Sequence, residues 1–255
     1  MIRYILFAAL TGLALLFASC GRNPAATVVA KSEITVAAAA NLVDAFGTIG
    51  PHFEAATGIH PVFSFASTAQ LTQQIENYAP FDVFAAADSE HIAKLEKEKL
   101  LVPGSRAVYA QGVLAMWIPP GAKAQVSRIE DLDSPSVRVI AIANPELAPY
   151  GKAALEVLMR QPDWQRIKPK IVYAENISMA KQYGMSHNAD VVFTAFSLVL
   201  HESGTVVRVS SEGLQQELGV IAASRRRAEA QKFADFLLRG NGRDILTQFG
   251  YEHSQ

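Results

Sequence analysis

Short apolar segments alternate with amphipathic helical segments along most of this chain, and no other feature restricts its fold as much. Segments 34–40, 61–66 and 81–87 read as buried strands, and each is followed by apolar residues at helical spacing. The same alternation recurs at the strand-like segments 137–143 and 171–174. Strands that alternate with helices are typical of α/β proteins, so we predict an α/β fold with parallel strands.

The strand–helix pairs fall into two groups along the chain. Residues 113–216 contain a series of their own, and the last strand and helices are expected to return to the first group. We therefore predict two α/β lobes joined by crossover strands, lobe 1 from residues 33–112 plus 217–255 and lobe 2 from 113–216. Open α/β sheets bind ligands at the carboxyl ends of their strands, so a ligand cleft is expected between the lobes.

The first 20 residues have the pattern of a secretory signal peptide. Arg3 supplies a positive charge, and residues 5–17 form an apolar run shorter than the about 20 residues that span a membrane. Small residues precede Cys20 as in a bacterial lipobox, which favours a lipid anchor on this cysteine. The alternative is a plain cleaved signal with an incidental cysteine. Residues 21–32 are expected to be a tether, and the protein to lie in the periplasm or on the extracytoplasmic face.

Composition and motifs argue against several classes of function. The net charge is -1 and the only notable basic run is residues 225–227, so nucleic acid is not an expected partner. The single cysteine excludes an internal disulfide bond. The six histidines are scattered without a metal-ligand spacing, and Ser197 lacks the G-x-S-x-G context of a hydrolase nucleophile. We expect no enzyme activity, no cofactor and no directly coordinated metal.

Two strand-to-helix junctions near the start of the chain end in neutral hydrogen-bonding residues. The first strand runs into Asn41 and the second into Ser67 and Thr68, and a helical pattern follows each of them. A helix start presents unpaired backbone N–H groups and the positive end of the helix dipole. Two such starts at one edge of a sheet predict an anion site that uses no charged side chain.

Blocks of sequence along the chain resemble, in order, those of the periplasmic molybdate-binding proteins, the substrate-binding components of molybdate ABC importers. The resemblance covers residues 33–251 and is carried by the segments VAAAANLVDAF, SFASTAQLTQQI, FDVFAAAD, ANPELAPYGKAALEVL, AENISMAKQYGMSHNADVVFTAFS and ILTQFGY. It implies a type II periplasmic-binding-protein fold, in which loops of two lobes hold a dehydrated tetrahedral oxyanion through neutral donors.

The resemblance also implies which residues bind the anion. In the first lobe they are Asn41 and Thr68, with Ser67 as an additional donor. In the second lobe they are Tyr150 and Ile177, which would act mainly through backbone N–H groups.

Three positions depart from the commonest pattern of the family. Many members have serine at the position of Asn41, and others have asparagine. Thr68 replaces the commoner serine. Some members carry a donor tyrosine on a late strand. The matching region of this chain reads Phe193-Thr194-Ala195, and Thr194 is the candidate hydroxyl donor there. These changes in the donors affect which oxyanion, molybdate, tungstate or another, the site would bind most tightly.

The chemistry of the anion fits these residue types. Molybdate near neutral pH offers only acceptors, which amide, hydroxyl and backbone N–H donors can satisfy. Hydrogen phosphate also carries an O–H, which favours a carboxylate acceptor in the site. Glu146 and Glu175 are near the candidate residues in sequence, so phosphate stays open as an alternative ligand.

We predict a monomeric binding protein that captures molybdate, and also tungstate, and delivers it to an ABC importer permease in the inner membrane. It would contact the membrane only through an N-terminal lipid. The alternatives are a binding protein for another anion (tungstate alone, sulfate or an organic acid) and a periplasmic enzyme or sensor on the same scaffold.

Overall fold

Two mixed five-stranded sheets organise residues 32–124 and 126–253, which are the residues that the computed structural model describes. The strands are β1 (Ser32–Ala39), β2 (Ile59–Ala66), β3 (Val83–Ala85), β4 (Ala107–Gln111), β5 (Leu114–Ile118), β6 (Ile140–Ala143), β7 (Ile171–Ala174), β8 (Val191–Ala195), β9 (Thr205–Val209) and β10 (Gln215–Val220). The helices are α1 (Val43–Thr57), α2 (Thr68–Glu76), α3 (Glu90–Lys97), α4 (Pro149–Met159), α5 (Trp164–Ile167), α6 (Ile177–Met185), α7 (Phe196–Val199), α8 (Arg227–Arg239) and α9 (Asn241–Gln248).

The two sheets have the same layout. The first has the strand order β2-β1-β3-β10-β4 and the second the order β7-β6-β8-β5-β9. In each, the first three strands are parallel, and the fourth runs antiparallel to both of its neighbours. The prediction of two α/β lobes is confirmed, whereas the prediction of parallel strands is wrong for the antiparallel β5 and β10.

The chain connections explain the antiparallel strands. One connection, residues 112–113, leads from β4 in the first sheet to β5 in the second, and the other, residues 210–214, leads from β9 back to β10. β5 begins opposite Ala195, at the carboxyl end of β8. A strand that enters at the carboxyl edge of its parallel neighbours must run in the opposite direction to them. The lobe limits themselves stay a prediction. The predicted tether, residues 21–32, overlaps the first strand by one residue, because β1 begins at Ser32.

A cluster of aromatic rings fixes α1, the helix that follows β1. Its buried side chains lie one helical turn apart, and Phe46 and Phe53 meet Phe233 of α8 edge to face at 5.7 and 5.1 Å between ring centroids. Gly58 ends the helix in the left-handed conformation, at φ 72°. This packing holds the start of α1 in a defined place at the end of β1.

Two buried aspartates hold the amino-terminal ends of the central strands. Asp82 Oδ2 accepts from the backbone N–H of Thr35 at 2.8 Å, and Asp190 Oδ2 accepts from those of Arg138 and Val139 at 2.9 and 3.1 Å. Burial alone would raise the pKa of Asp190, but the hydrogen bonds from Arg138 and Val139 outweigh it and lower this pKa below its usual value. Equivalent strands of the two sheets are therefore fixed by the same device.

The signal peptide, the tether up to residue 31 and the lipidated Cys20 are predictions that lie outside the described residues. Among the described helices, none is both long enough and apolar enough to cross a membrane.

Candidate functional site

The starts of several helices meet at one small cavity between the two sheets. A 3₁₀ turn at Ala40–Leu42 leads into α1, and this turn, α2, α4 and α6 all begin at the cavity wall. The cavity is lined by Ala39, Ala40, Asn41, Ser67, Thr68, Ala87, Ala148, Pro149, Tyr150 and Ile177. Unpaired N–H groups and positive dipole ends from both lobes therefore face the same space.

The first-sheet half of the wall is built where β1 and β2 end. Ala39 has no side-chain oxygen that could cap the turn after β1, so the N–H groups of that turn are left for other acceptors. Ser67 caps α2 by accepting from the Gln70 N–H at 3.4 Å and donating to the Gln70 side chain at 2.7 Å. Thr68 Oγ1 accepts from the Ala87 N–H at 3.3 Å, which leaves its own O–H as a donor.

The second-sheet half consists of the starts of α4 and α6. α4 begins with Pro149 after Ala148, and no side chain caps it within the described part of the chain. The backbone N–H of Tyr150 is thus without an intrahelical partner. Ile177 opens α6 behind Asn176, whose side chain accepts from the Met179 N–H at 3.0 Å.

The cavity is buried, neutral and small. The side chains of Asn41, Ser67, Thr68, Tyr150 and Ile177 are between 1% and 3% exposed, and the described residues that line the cavity carry no charge. Its volume is about 10 Å³, close to the space of one ordered water. Hydrogen bonds to a charged acceptor are strongest in such a water-poor setting, where the donors have few competing partners.

A buried hydrogen-bond network lies behind Asn41. Its Nδ2 donates to Gln216 Oε1 and to the Tyr251 hydroxyl, each at 2.9 Å, and the Tyr251 hydroxyl donates to the Asn41 carbonyl at 2.8 Å. Ser197 of α7 also donates to the Asn41 carbonyl, at 3.1 Å. Both amide N–H groups of Asn41 therefore have protein acceptors, so a ligand in the cavity would depend on the backbone N–H groups of the turn.

Burial keeps the nearby tyrosine hydroxyls neutral. It raises the pKa of Tyr150 well above its usual value, and the neighbouring Tyr251 adds to the shift, while a hydrogen bond with Asn41 partly offsets it. The pKa of Tyr251 is raised for the same main reason, its burial. Neither hydroxyl ionises near neutral pH.

Hydrogen bonds between the two halves close the cavity from its sides. The Ala69 N–H donates to the Leu147 carbonyl at 3.1 Å, and Ser178 Oγ donates to the Ala40 carbonyl at 3.0 Å. At the surface, the Gln70 amide donates to the Glu175 carboxylate. These bonds join the helix starts of one sheet to those of the other, so both halves of the wall are held together.

The structure brings together five of the six residues chosen from the sequence. Asn41, Ser67, Thr68, Tyr150 and Ile177 all line the cavity. Thr194 is fully buried in β8 but does not line it, and its hydroxyl donates to the Ile177 carbonyl at 3.5 Å. In the described residues there is no group of three or more His, Cys, Asp or Glu that could hold a metal ion.

Sequence reasoning missed the residues that support the site from behind. Gln216 and Tyr251 contact Asn41 from 175 and 210 residues away, and no local pattern marks them. The run of small residues that ends in Ala39 and Ala40 was a usable signal, because only small side chains let a strand end approach a ligand closely.

Comparison with known proteins agrees with this architecture. The family model for bacterial extracellular solute-binding proteins matches residues 34–252. The chain is 32% identical to the molybdate-binding protein ModA of Azotobacter vinelandii, over 92% of this chain and 96% of that one. It is 31% identical to ModA of Rhodobacter capsulatus, over 87% of this chain and 89% of the relative.

A solved structure shows the same fold. The periplasmic molybdate-binding protein of Azotobacter vinelandii superposes with a TM-score of 0.80 at 27% sequence identity, covering 87% of this chain and 100% of that chain. The predicted type II periplasmic-binding-protein fold is thereby confirmed. The chain belongs to the family of bacterial extracellular solute-binding proteins, within which it is similar to the molybdate-binding proteins.

Proposed function

We propose that this protein captures molybdate outside the cytoplasm and delivers it to the permease of an ABC importer. The observation that carries the proposal is the convergence of helix starts from both sheets on a neutral, buried cavity. Such a site supplies hydrogen-bond donors and positive dipole ends, as a fully ionised oxyanion requires. The names of the relatives, which are molybdate-binding proteins, support the choice of anion and a binding role rather than catalysis.

Each of the six residues chosen from the sequence has a role in the proposal. The turn at Asn41 and the starts of α4 and α6, at Tyr150 and Ile177, donate backbone N–H groups. Thr68 donates its hydroxyl, and Ser67 fixes the start of α2 as its cap. Thr194 acts through the Ile177 carbonyl that it contacts, and so positions the start of α6.

The surroundings of two nearby carboxylates support a fully ionised anion over hydrogen phosphate. Glu175 accepts from Gln70 at the surface, and neither Glu175 nor Glu146 lines the cavity. A protonated oxyanion would find no carboxylate acceptor among the described lining residues.

The size of the cavity implies a motion in this proposal. A tetrahedral oxyanion is larger than one water, so the loops of the two sheets have to separate when the anion enters. They then close over it. The closed form is then the one that the permease recognises.

The remaining parts of the proposal concern the location of the protein, its oligomeric state and its selectivity among oxyanions. The protein acts as a monomer with lobes at residues 33–112 plus 217–255 and at 113–216. The division of the strands between two sheets supports two lobes, although Gln215 and Gln216 already belong to β10 of the first sheet. It is held on the extracytoplasmic face by a lipid on Cys20. Tungstate binds as molybdate does, because both are tetrahedral oxyanions that offer only acceptors.

Isothermal titration calorimetry tests the anion directly. Molybdate and tungstate should bind tightly, and sulfate and phosphate much more weakly. If neither metal oxyanion gave any heat while sulfate or phosphate bound, the assignment would be wrong.

A pair of double variants tests the site. Asn41→Ala combined with Thr68→Ala should abolish the rise in melting temperature that molybdate causes. The matched control changes the same residue types at exposed positions, Asn77→Ala with Thr247→Ala, and should keep the full rise. Equal thermal shifts in both double variants would contradict the placement of the site.

A further inference from the structure

The side chain of Tyr150 reaches the segment that connects the sheets. Tyr150 lines the cavity at the start of α4, and its hydroxyl lies beside Gly112, between β4 and β5. The residue is 2% exposed, so the whole ring is enclosed. A single residue therefore touches both the anion site and the connection about which the lobes would move.

Gly112 leaves no room for a side chain at this contact. A Cβ atom added there would lie 2.2 Å from the Tyr150 hydroxyl oxygen, 2.7 Å from Gln216 Nε2 and 3.0 Å from Tyr150 Cζ. Gly112 is not among the described glycines with positive φ, so the requirement is for space and not for an unusual backbone.

The surroundings of this contact hold the connection in place. The Gly112 N–H donates to the Leu214 carbonyl at 2.8 Å, which joins the two connecting segments to each other. Gln216, the other neighbour of the added Cβ, accepts from the Asn41 amide at 2.9 Å. The space beside Gly112 is thus linked through Gln216 to the first-sheet wall of the cavity.

We infer that insertion of the Tyr150 ring beside Gly112 is required for lobe closure, and that Tyr150 is a positioning residue for the anion site. The inference deepens the proposed function and rests on it. When the lobes close, α4 carries the ring into the space beside Gly112, and the Tyr150 N–H reaches its place in the wall. A side chain at position 112 would stop this movement before the wall is complete.

The test compares Gly112→Ala with a matched glycine change and with a rescue. Gly47→Ala is the control, because nothing lies within 4 Å of an added Cβ at this exposed helical position. Gly112→Ala with Tyr150→Phe is the rescue, because it removes the hydroxyl oxygen nearest to the added methyl group. Affinity for molybdate is measured by calorimetry, the radius of gyration by small-angle scattering, and the melting temperature by circular dichroism.

Gly112→Ala should weaken molybdate binding by roughly tenfold to a hundredfold, as is typical when an extra methyl group is forced into a packed site. Its melting temperature without ligand should fall by a few degrees, because an overpacked methyl group is destabilising, and its radius of gyration should be larger. The rescue should recover part of the affinity, and Gly47→Ala should bind like the wild type.

Two results would overturn the inference. One is a Gly112→Ala variant with wild-type affinity and radius of gyration, and the other is a double variant that binds no better than Gly112→Ala alone. A wild-type protein that binds no molybdate would instead refute the proposed function. The ligand-free scattering would still decide the inference, which requires Gly112→Ala to be more open than the wild type.

Discussion

The amide nitrogen of Asn41 lies 2.9 Å from the Tyr251 hydroxyl oxygen, and that oxygen lies 2.8 Å from the Asn41 carbonyl oxygen. The tyrosine therefore holds both the side chain and the backbone of Asn41, in the turn that follows β1. Because the second amide N–H is taken by Gln216, the asparagine side chain acts as a support for the turn that faces the cavity. Tyr251, near the C-terminus, thus supports the cavity wall from behind.

Tyr251→Phe should lower the free energy of unfolding by about 1–3 kcal/mol, because the Asn41 groups lose a buried partner. Urea unfolding measures this change. The control is Tyr78→Phe at a residue that is 76% exposed, which should change the stability by less than about 0.5 kcal/mol. Equal unfolding midpoints for the two variants would show that the Tyr251 hydroxyl does not support the turn.

Thr68→Val should weaken molybdate binding by about tenfold or more, because the hydroxyl is the proposed donor and valine has nearly the same shape. Thr68→Ser keeps the hydroxyl and should bind within a few-fold of the wild type. Calorimetry on the three proteins checks this order. If valine and serine bound equally well, the hydroxyl would not be a ligand donor.

The affinity for molybdate should be constant between about pH 6.5 and 9, because no described lining group titrates in this range. The raised pKa of Tyr150 keeps its hydroxyl neutral throughout. Titrations at several pH values, in buffers that bind no oxyanion, measure this. A tenfold change in affinity across the range would point to a titrating group in the site.

Asp190→Asn should destabilise the protein by about 1–3 kcal/mol at neutral pH, because the carboxylate accepts hydrogen bonds from Arg138 and Val139. Its pKa is lowered in the folded state, so this stabilisation is present above the usual aspartate pKa and is lost as the pH falls through the lowered value.

The difference in stability between the wild type and Asp190→Asn should therefore shrink below about pH 4, as urea unfolding at a series of pH values can show. Asp235→Asn at an exposed position is the control and should change little. A difference that stayed the same down to about pH 2 would contradict the assigned role of the charge.

Much of the fold follows from local pattern. β7 has the limits that the sequence indicates, because its apolar run is bounded by clear turn residues. β4 was missed, because its five residues include two alanines and a glutamine, and its partner β10 is remote in sequence. The direction of β5 and β10 depends on where the chain crosses between sheets, which periodicity does not report.

The residues of the site also separate into those that the sequence predicts and those that it does not. Asn41 and Thr68 were found because they stand at strand-to-helix junctions, and Tyr150 and Ile177 because the family resemblance assigned them. The roles of Gln216 and Gly112 depend on contacts between remote segments, so no window of sequence contains them. Local rules therefore locate the wall of the site but not its support.

The layout of the two sheets has a consequence for the order in which the chain can fold. All strands of the second sheet lie between residues 114 and 209 without interruption, whereas the first sheet needs β10, which follows β4 by more than a hundred residues. During synthesis or export from the amino terminus, the second sheet can assemble as soon as its own segment emerges. The first sheet has to wait for the last part of the chain, so the binding-competent protein is completed late.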